Sequence, residues 1–274
     1  MKLAEALQIV VRTDPGVVRS HNEDAVWGDA GLGMVILADG MGGYNAGEVA
    51  SGMAITLLSN NLHPIVENCR PQETDPVSGK RLAHRHIEEQ VALTNDSIYR
   101  AAQSQPQYAG MGTTLVIAWF FDNLVSVAHI GDSRLYRLRG EEFQQITRDH
   151  SLLQEQLDSG MITPEEAKFS QNKNLVTRAL GVEPEVEVEI HDHEVLPGDL
   201  YLLCSDGLSD MIEDEEICLT VQTLQSNLEL AGDQLIQMAN DNGGRDNISV
   251  ILVKVRGDYA APSGWWQKLL AWFK

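Results

Sequence analysis

Several short apolar runs in this chain end on, or begin from, a carboxylate, and that pairing constrains the fold more than any other feature. Val35 to Ala38 leads into Asp39-Gly40, and Leu200 to Cys204 leads through Ser205 into Asp206-Gly207. Asp246-Asn247 opens the run Ile248 to Val255, and Asn22-Glu23-Asp24 precedes Ala25-Val26-Trp27. Continuous apolar runs of this length, bounded by Gly, Asp or Asn, predict strands covered on both faces. Met34 to Ala38, Leu115 to Phe121, Leu200 to Cys204 and Ile248 to Val255 read this way. Asn123 to Thr147 alternates instead. It predicts hairpin structure with a turn at Arg139-Gly140-Glu141 and with Gly131-Asp132-Ser133 inside the alternating stretch.

Helical spacing appears between these groups. Asn45 and Glu48 form a capping pair ahead of Val49, Ala50, Met53 and Leu57. Ile87, Val91, Thr94, Ile98 and Ala102 mark a longer amphipathic helix. Pro64 to Gly79 reads as loop, and Thr163-Pro164-Glu165-Glu166 as a helix start with proline in first position. Ala231, Leu235, Met238 and Ala239 give a helix stopping at Asn242-Gly243. Strands, two helices, many strands, then helix and strand predict one sheet-rich α+β domain. Residues 151–181 would form a small flap upon it.

Forty acidic against twenty basic residues leave a formal charge of −20, which argues against nucleic acid held through phosphates. Cys69, Cys204 and Cys218 lie far apart at no metal or redox spacing, as expected of packing thiols in a reducing interior. The first residues carry no signal-peptide pattern, and no apolar run is long enough to span a bilayer. A cytoplasmic protein is expected.

A single Asp-Gly marks no more than a turn. Five carboxylate sites at strand ends are different: gathered together they repel, and burial without a partner costs several kcal/mol each. Lys and Arg are scarce nearby, so divalent cations are the expected counter-charge. An all-oxygen set suits Mg²⁺ or Mn²⁺ rather than zinc.

Seven ordered motifs then resemble one family. Arg19-Ser-His-Asn-Glu-Asp24, Ala38-Asp-Gly-Met-Gly-Gly43, Gly110-Met-Gly-Thr-Thr114 and His129-Ile-Gly-Asp-Ser-Arg134 are four of them. Thr147-Arg-Asp-His-Ser151, Ser205-Asp-Gly-Leu-Ser-Asp210 and Gly244-Arg-Asp-Asn247 complete the set. Over about residues 10–256 the chain resembles the metal-dependent serine/threonine protein phosphatases (PPM, type 2C) of bacterial type. The resemblance implies a catalytic domain over residues 1–258, built as a central β-sandwich of two antiparallel sheets flanked by helices in α-β-β-α layers. A two-metal Mn²⁺ or Mg²⁺ centre would lie at one end. It implies that Asp39 bridges both metals, Asp206 and Asp246 complete the first site, and the Gly40 carbonyl serves the second. Glu23 or Asp24 would serve that second site directly or through water. Asp132 and Asp210 hold the positions of a third, weaker metal, and Arg19 that of the group binding substrate phosphate. The implied reaction is hydrolysis of phosphoserine or phosphothreonine in proteins by a metal-activated water. The partners it implies are phosphoproteins and a cognate kinase, with the enzyme a monomer.

One position departs from the pattern of many members: Met41 replaces a histidine after the Asp-Gly. The general acid is then either His21 or a metal-bound water, with an exposed, inert His21 the equal alternative. Arg134 and Arg178 read as structural partners of carboxylates, and His150 as an organiser of the flap. Residues 259–274 form a tail with Trp265, Trp266 and Trp272 in Trp265 to Lys274. As a helix that decapeptide would be about 15 Å long, too short to span a bilayer. It could lie in a membrane interface, enter a partner's groove, or fold back on its own domain.

Overall fold

Strand β3 (Met34–Met41) shows why its sequence is apolar at consecutive positions: each of its faces has its own core. Val35 and Leu37 point into one buried cluster, while Met34, Ile36 and Ala38 point into another. The computed structural model describes residues 1–43, 46–167, 170 and 175–260. The Asn45 cap and all but the first two residues of the tail therefore lie outside the described residues.

Two antiparallel sheets stack face to face. In one, β1 (Leu7–Asp14), β11 (Ile248–Val255), β10 (Leu200–Cys204), β7 (Arg134–Arg139) and β8 (Glu142–Gln145) lie side by side in that order. In the other the order is β2 (Asp24–Asp29), β3, β5 (Leu115–Phe121), β6 (Leu124–Ile130) and β9 (Glu189–Glu194), with the short β4 (Gly112–Thr113) pairing the end of β3. Val35, Leu37, Val116, Phe120 and Val127 of this sheet meet Leu7, Leu135, Tyr201, Leu203 and Ile251 of the other to form the sandwich interior.

Helices close both outer faces. After the short α1 (Leu3–Ala6), α2 (Ala46–Asn68) and α3 (Leu82–Ser104) cover the β3 sheet. Ala46, Ala50, Ala54, Leu58 and Leu62 repeat every four residues on α2's buried stripe, and the alanines let that helix approach the strands closely. Removing the fully buried Leu58 side chain would cost about 2–5 kcal/mol. The other sheet is covered by α7 (Asp214–Leu224) and α8 (Leu228–Asp241), through Ile217, Val221, Ala231, Leu235 and Ala239. The remaining short helices are α4 (Leu152–Asp158) and α5 (Pro164–Ala167) in the flap, and α6 (Asp206–Ser209).

Three expectations change. Helix α2 runs on through Pro64 to Asn68, so the predicted loop begins only at Cys69. Proline forfeits one helix hydrogen bond, but Leu62 is fully buried and Ile65 and Val66 pack on the core beyond it. Gly131-Asp132-Ser133 is not inside a hairpin: β6 and β7 belong to different sheets, and this segment crosses between them. Strands β1 and β9 and helix α7 were not predicted. β1 and β9 carry polar residues on faces that tertiary pairing covers, as with Asp192 on β9.

Candidate active site

Antiparallel pairing brings alternate strand ends together. Cys204 lies opposite both Val250 and Arg134, and Asp14 opposite Ile248, so the end of β10, the starts of β11 and β7 and the end of β1 share one edge. From that edge emerge Asp206, Asp246, Asp132 and Arg19. In the facing sheet Asp39 is paired in register with Asp24, which places Glu23, Asp24 and Asp39 at the matching end. Asp210 follows on α6, its backbone N–H donating to the Asp206 carbonyl at 2.8 Å. The sequence-predicted carboxylates therefore converge at one end of the sandwich.

The scaffold around them is tightly bonded. The Asp39 N–H donates to Thr114 Oγ1 at 3.0 Å, and the Asp39 carbonyl accepts from Thr113 Oγ1 and the Thr114 N–H. Ser205 Oγ donates to Asp24 Oδ2 at 2.8 Å. Buried Asn247 ties the Arg19 loop down: its Nδ2 donates to the carbonyls of Pro15 and His21, and its Oδ1 accepts from the Glu23 N–H at 2.8 Å. These positioning residues were not singled out from spacing; the only sequence signal for Thr114 and Asn247 is their place in the quoted motifs. A side chain at Gly40 would collide with the carbonyls of Gly47 and Glu23, which explains a glycine there by close backbone approach.

Charge at the site is one-sided. Burial, followed by repulsion from Asp24, Asp206 and Asp132, holds the Asp39 carboxyl well above the usual carboxylate range. Asp206 is raised by burial and then by Asp132, Asp210 and Asp246. Burial pushes Asp24 up to about 7 despite hydrogen bonds from Ser249 and Ser205, and pushes Asp132 up to about 6. Glu23 is raised as well, burial outweighing the attraction of Arg19. Asp24 Oδ1 is buried with no hydrogen-bond partner. An orphaned anionic oxygen among crowded carboxylates fits hard divalent cations, and the donors present are all oxygen.

Arg19 stands at the mouth, half exposed, with Nη2 2.7 Å from Asp246 Oδ2. Its remaining N–H groups can meet an anion beside the carboxylates. Arg134 instead serves the structure, as predicted: its Nε and Nη2 grip Asp149. His150 anchors the start of the flap through its N–H to the Gly131 carbonyl and its own carbonyl to the Thr177 N–H. It stacks on His129 with centroids 4.6 Å apart, and its Nε2 lies 3.3 Å from Glu189. His21 is exposed.

An α-β-β-α sandwich carrying such a cluster and an arginine at one end has the groups that metal-assisted hydrolysis of an anionic ester requires. Residues 18–252 match the family described as Protein phosphatase 2C, and the chain belongs to that family. The Mycobacterium tuberculosis serine/threonine protein phosphatase PstP is 40% identical over 249 residues, which cover 91% of this chain and 45% of PstP. The chain therefore spans less than half the length of that relative. The Streptococcus pneumoniae protein phosphatase PhpP is 39% identical over 259 residues, covering 93% of this chain and all of PhpP. Among solved structures, the PstP catalytic domain in complex with two manganese ions superposes with a TM-score of 0.78 at 38% identity, covering 91% of this chain and 98% of that one. Staphylococcus aureus Stp1 reaches 0.80 at 34% identity, with 94% and 98% covered. Both share the two antiparallel sheets flanked by helices.

Proposed function

We propose that this protein hydrolyses phosphoserine and phosphothreonine in phosphoproteins, opposing a serine/threonine kinase, as a monomer in the cytoplasm. The observation that carries this reading is the convergence of Asp24, Asp39, Asp132, Asp206 and Asp246, where burial and neighbouring carboxylates raise both Asp39 and Asp206. Asp39, Asp206 and Asp246 would hold one cation. Asp39 with the Gly40 carbonyl and Glu23 or Asp24 would hold a second, and Asp132 and Asp210 a third, weaker one. Mn²⁺ or Mg²⁺ bound there would supply a water of lowered pKa and charge to offset the phosphate.

The chain's own groups do the rest. Arg19, always charged, clamps phosphate oxygens and offsets the charge that grows as the ester bond lengthens. Asp246, bonded to that guanidinium, sets its direction. Asn247 holds the loop that follows Arg19, and Thr114 holds the strand end that carries Asp39. Met41 is no acid, and it is half-buried beside the cluster. Free, unpaired cysteines agree with a reducing compartment. A non-catalytic phosphoprotein-binding member would be expected to lack a core aspartate, and Asp39, Asp206 and Asp246 are all present.

The test is hydrolysis of a phosphothreonine peptide with Mn²⁺, with Mg²⁺ and with excess chelator. Turnover that requires metal is expected. A folded protein inactive with both cations would overturn the assignment.

A further inference from the structure

Two clefts meet beside the carboxylate cluster. The first, about 310 Å³, is walled by Asp132, Asp206 and Asp210, by Asp149 and Leu153 at the start of the flap, and by Asp214 of α7. The second, about 390 Å³, is a trough between β8 and the start of α7, lined by Glu141, Phe143, Gln145, Asp214, Glu215 and Cys218. Asp214 lines both. Gln145, at the site-facing end of β8, also donates from Nε2 to Asp149 Oδ1 at 2.8 Å, so the trough leads from the metal end along the strand.

The trough has the features of a peptide seat. β8 is the last strand of its sheet, and its outer edge pairs with no other strand among the described residues. Such an edge can add an extended chain by main-chain hydrogen bonds. Half-buried Phe143 forms a rigid floor, stacked on buried Tyr136 at 4.9 Å with planes 7° apart. Glu141, Asp214 and Glu215 are exposed around it, and Glu213 follows in the adjoining cleft. Among the described residues Arg134 is the one cation lining either cleft, where Asp149 holds it and its Nη1 lies 4.0 Å from Asp214 Oδ1. The seat therefore offers an apolar platform, an open strand edge and exposed negative charge from Glu141, Glu213 and Glu215.

We propose that this trough receives an extended flank of the phosphoprotein substrate, one carrying basic residues with an apolar side chain over Phe143. The proposal rests on the phosphatase reading above. The four residues of β8 span roughly 13 Å, so about four substrate residues leading away from the phosphorylated one are read. Specificity then comes from the flank and catalysis from the cluster, and the two can be changed separately.

The experiment uses the full chain with Mn²⁺ and phosphothreonine peptides bearing a Lys-Leu-rich or a Glu-rich arm of four residues on either side. p-Nitrophenyl phosphate, which has no arm, is the reference. On wild type, kcat/KM should favour one lysine-armed peptide over its glutamate counterpart by about tenfold, mostly through KM. Glu141→Lys with Glu215→Lys, two exposed positions, should erase or invert that preference when each peptide rate is divided by the p-nitrophenyl phosphate rate. Phe143→Ser should lower the ratio for the lysine-armed peptide only. Equal use of both arms by wild type, or a preference untouched by the double variant, would overturn the proposal. Failure of wild type on p-nitrophenyl phosphate and every peptide would instead reject the phosphatase reading, and the trough's role with it.

Discussion

Asp192 on β9 and Asp24 on β2 are both partly buried strand aspartates at edges of the same sheet, yet their environments are opposed. Burial disfavours the charge of Asp192, but hydrogen bonds from His84 and Ser126 and the nearby Arg81 overcome it and bring its carboxyl down to about 2. Burial at Asp24 is not overcome, and its carboxyl rises to about 7. The same contrast recurs elsewhere. Asp199 is 1% exposed and bonded to Arg139 through two oxygens, and Asp75, 4% exposed, is bonded to Arg85, whereas Asp39 and Asp206 face other carboxylates. Asp75, Asp192 and Asp199 each have a base placed against them. In the cluster Arg19 bonds Asp246, yet Asp24, Asp39 and Asp206 stay raised, so further counter-charge would have to come from something bound.

The sharpest way to break the comparison is to neutralise one acid from each set. Asp39→Asn should cut metal-dependent turnover of a phosphothreonine peptide by about 10³-fold or more. In chelator the same variant should melt above wild type, because a buried charge without a partner has been removed. A metal-free Asp39→Asn protein that melts lower would show that Asp39 is internally compensated. Arg139→Ala should do the reverse, leaving turnover per folded molecule unaltered. By stranding Asp199 it should cost about 3 kcal/mol, a fall in Tm of roughly 10 °C by calorimetry.

Metal itself should repair what the fold omits. At pH 7, Mn²⁺ at a hundred times its Kd should stabilise the protein by about 2.7 kcal/mol over the chelated form. Without metal, the raised pKa of Asp24 fixes the sign of the pH dependence. Its contribution to stability is fully present below the ordinary value near 3.9 and is lost as pH rises through about 7. Asp192 acts oppositely, since its contribution is present above about 3.9 and lost as pH falls towards 2. Chelated protein should therefore lose Tm between about pH 4 and 7, and a flat profile there would dissolve the contrast. The smallest effect is at the mouth: Arg19→Ala should raise KM for the peptide about tenfold, and an unaltered KM would remove its clamp role.

The reading of the site from sequence and its placement in space differ in kind. Asp39 after Val35 to Ala38 and Asp206 after Leu200 to Cys204 were legible, because a short continuous apolar run bounded by glycine and polar residues reads as a strand covered on both faces, and a charge follows where such a strand leaves the core. Asp132 was misplaced inside a hairpin, since alternation in β6 and β7 looks the same whether the strands share a sheet or not. β9 was missed because its acidic and histidine residues are acceptable only once His84 of α3 and Arg81, just ahead of that helix, arrive to pair with Asp192. Asn247 was seen as part of a motif, not as the clamp joining residues 15, 21 and 23, contacts more than 220 positions distant in the chain.

The sequence by itself determined that aspartates end buried strands, that they outnumber nearby bases, and that the chain resembles one family of phosphatases over most of its length. Local periodicity and charge are properties of neighbours along the chain, and they survive without coordinates. Only the tertiary structure decided that those strand ends meet at one edge, that Asp24 keeps an unpartnered oxygen there, and that a trough along β8 opens onto the same place. Each of these depends on antiparallel register between segments far apart in sequence, and register is set by the packing of two sheets and their helices.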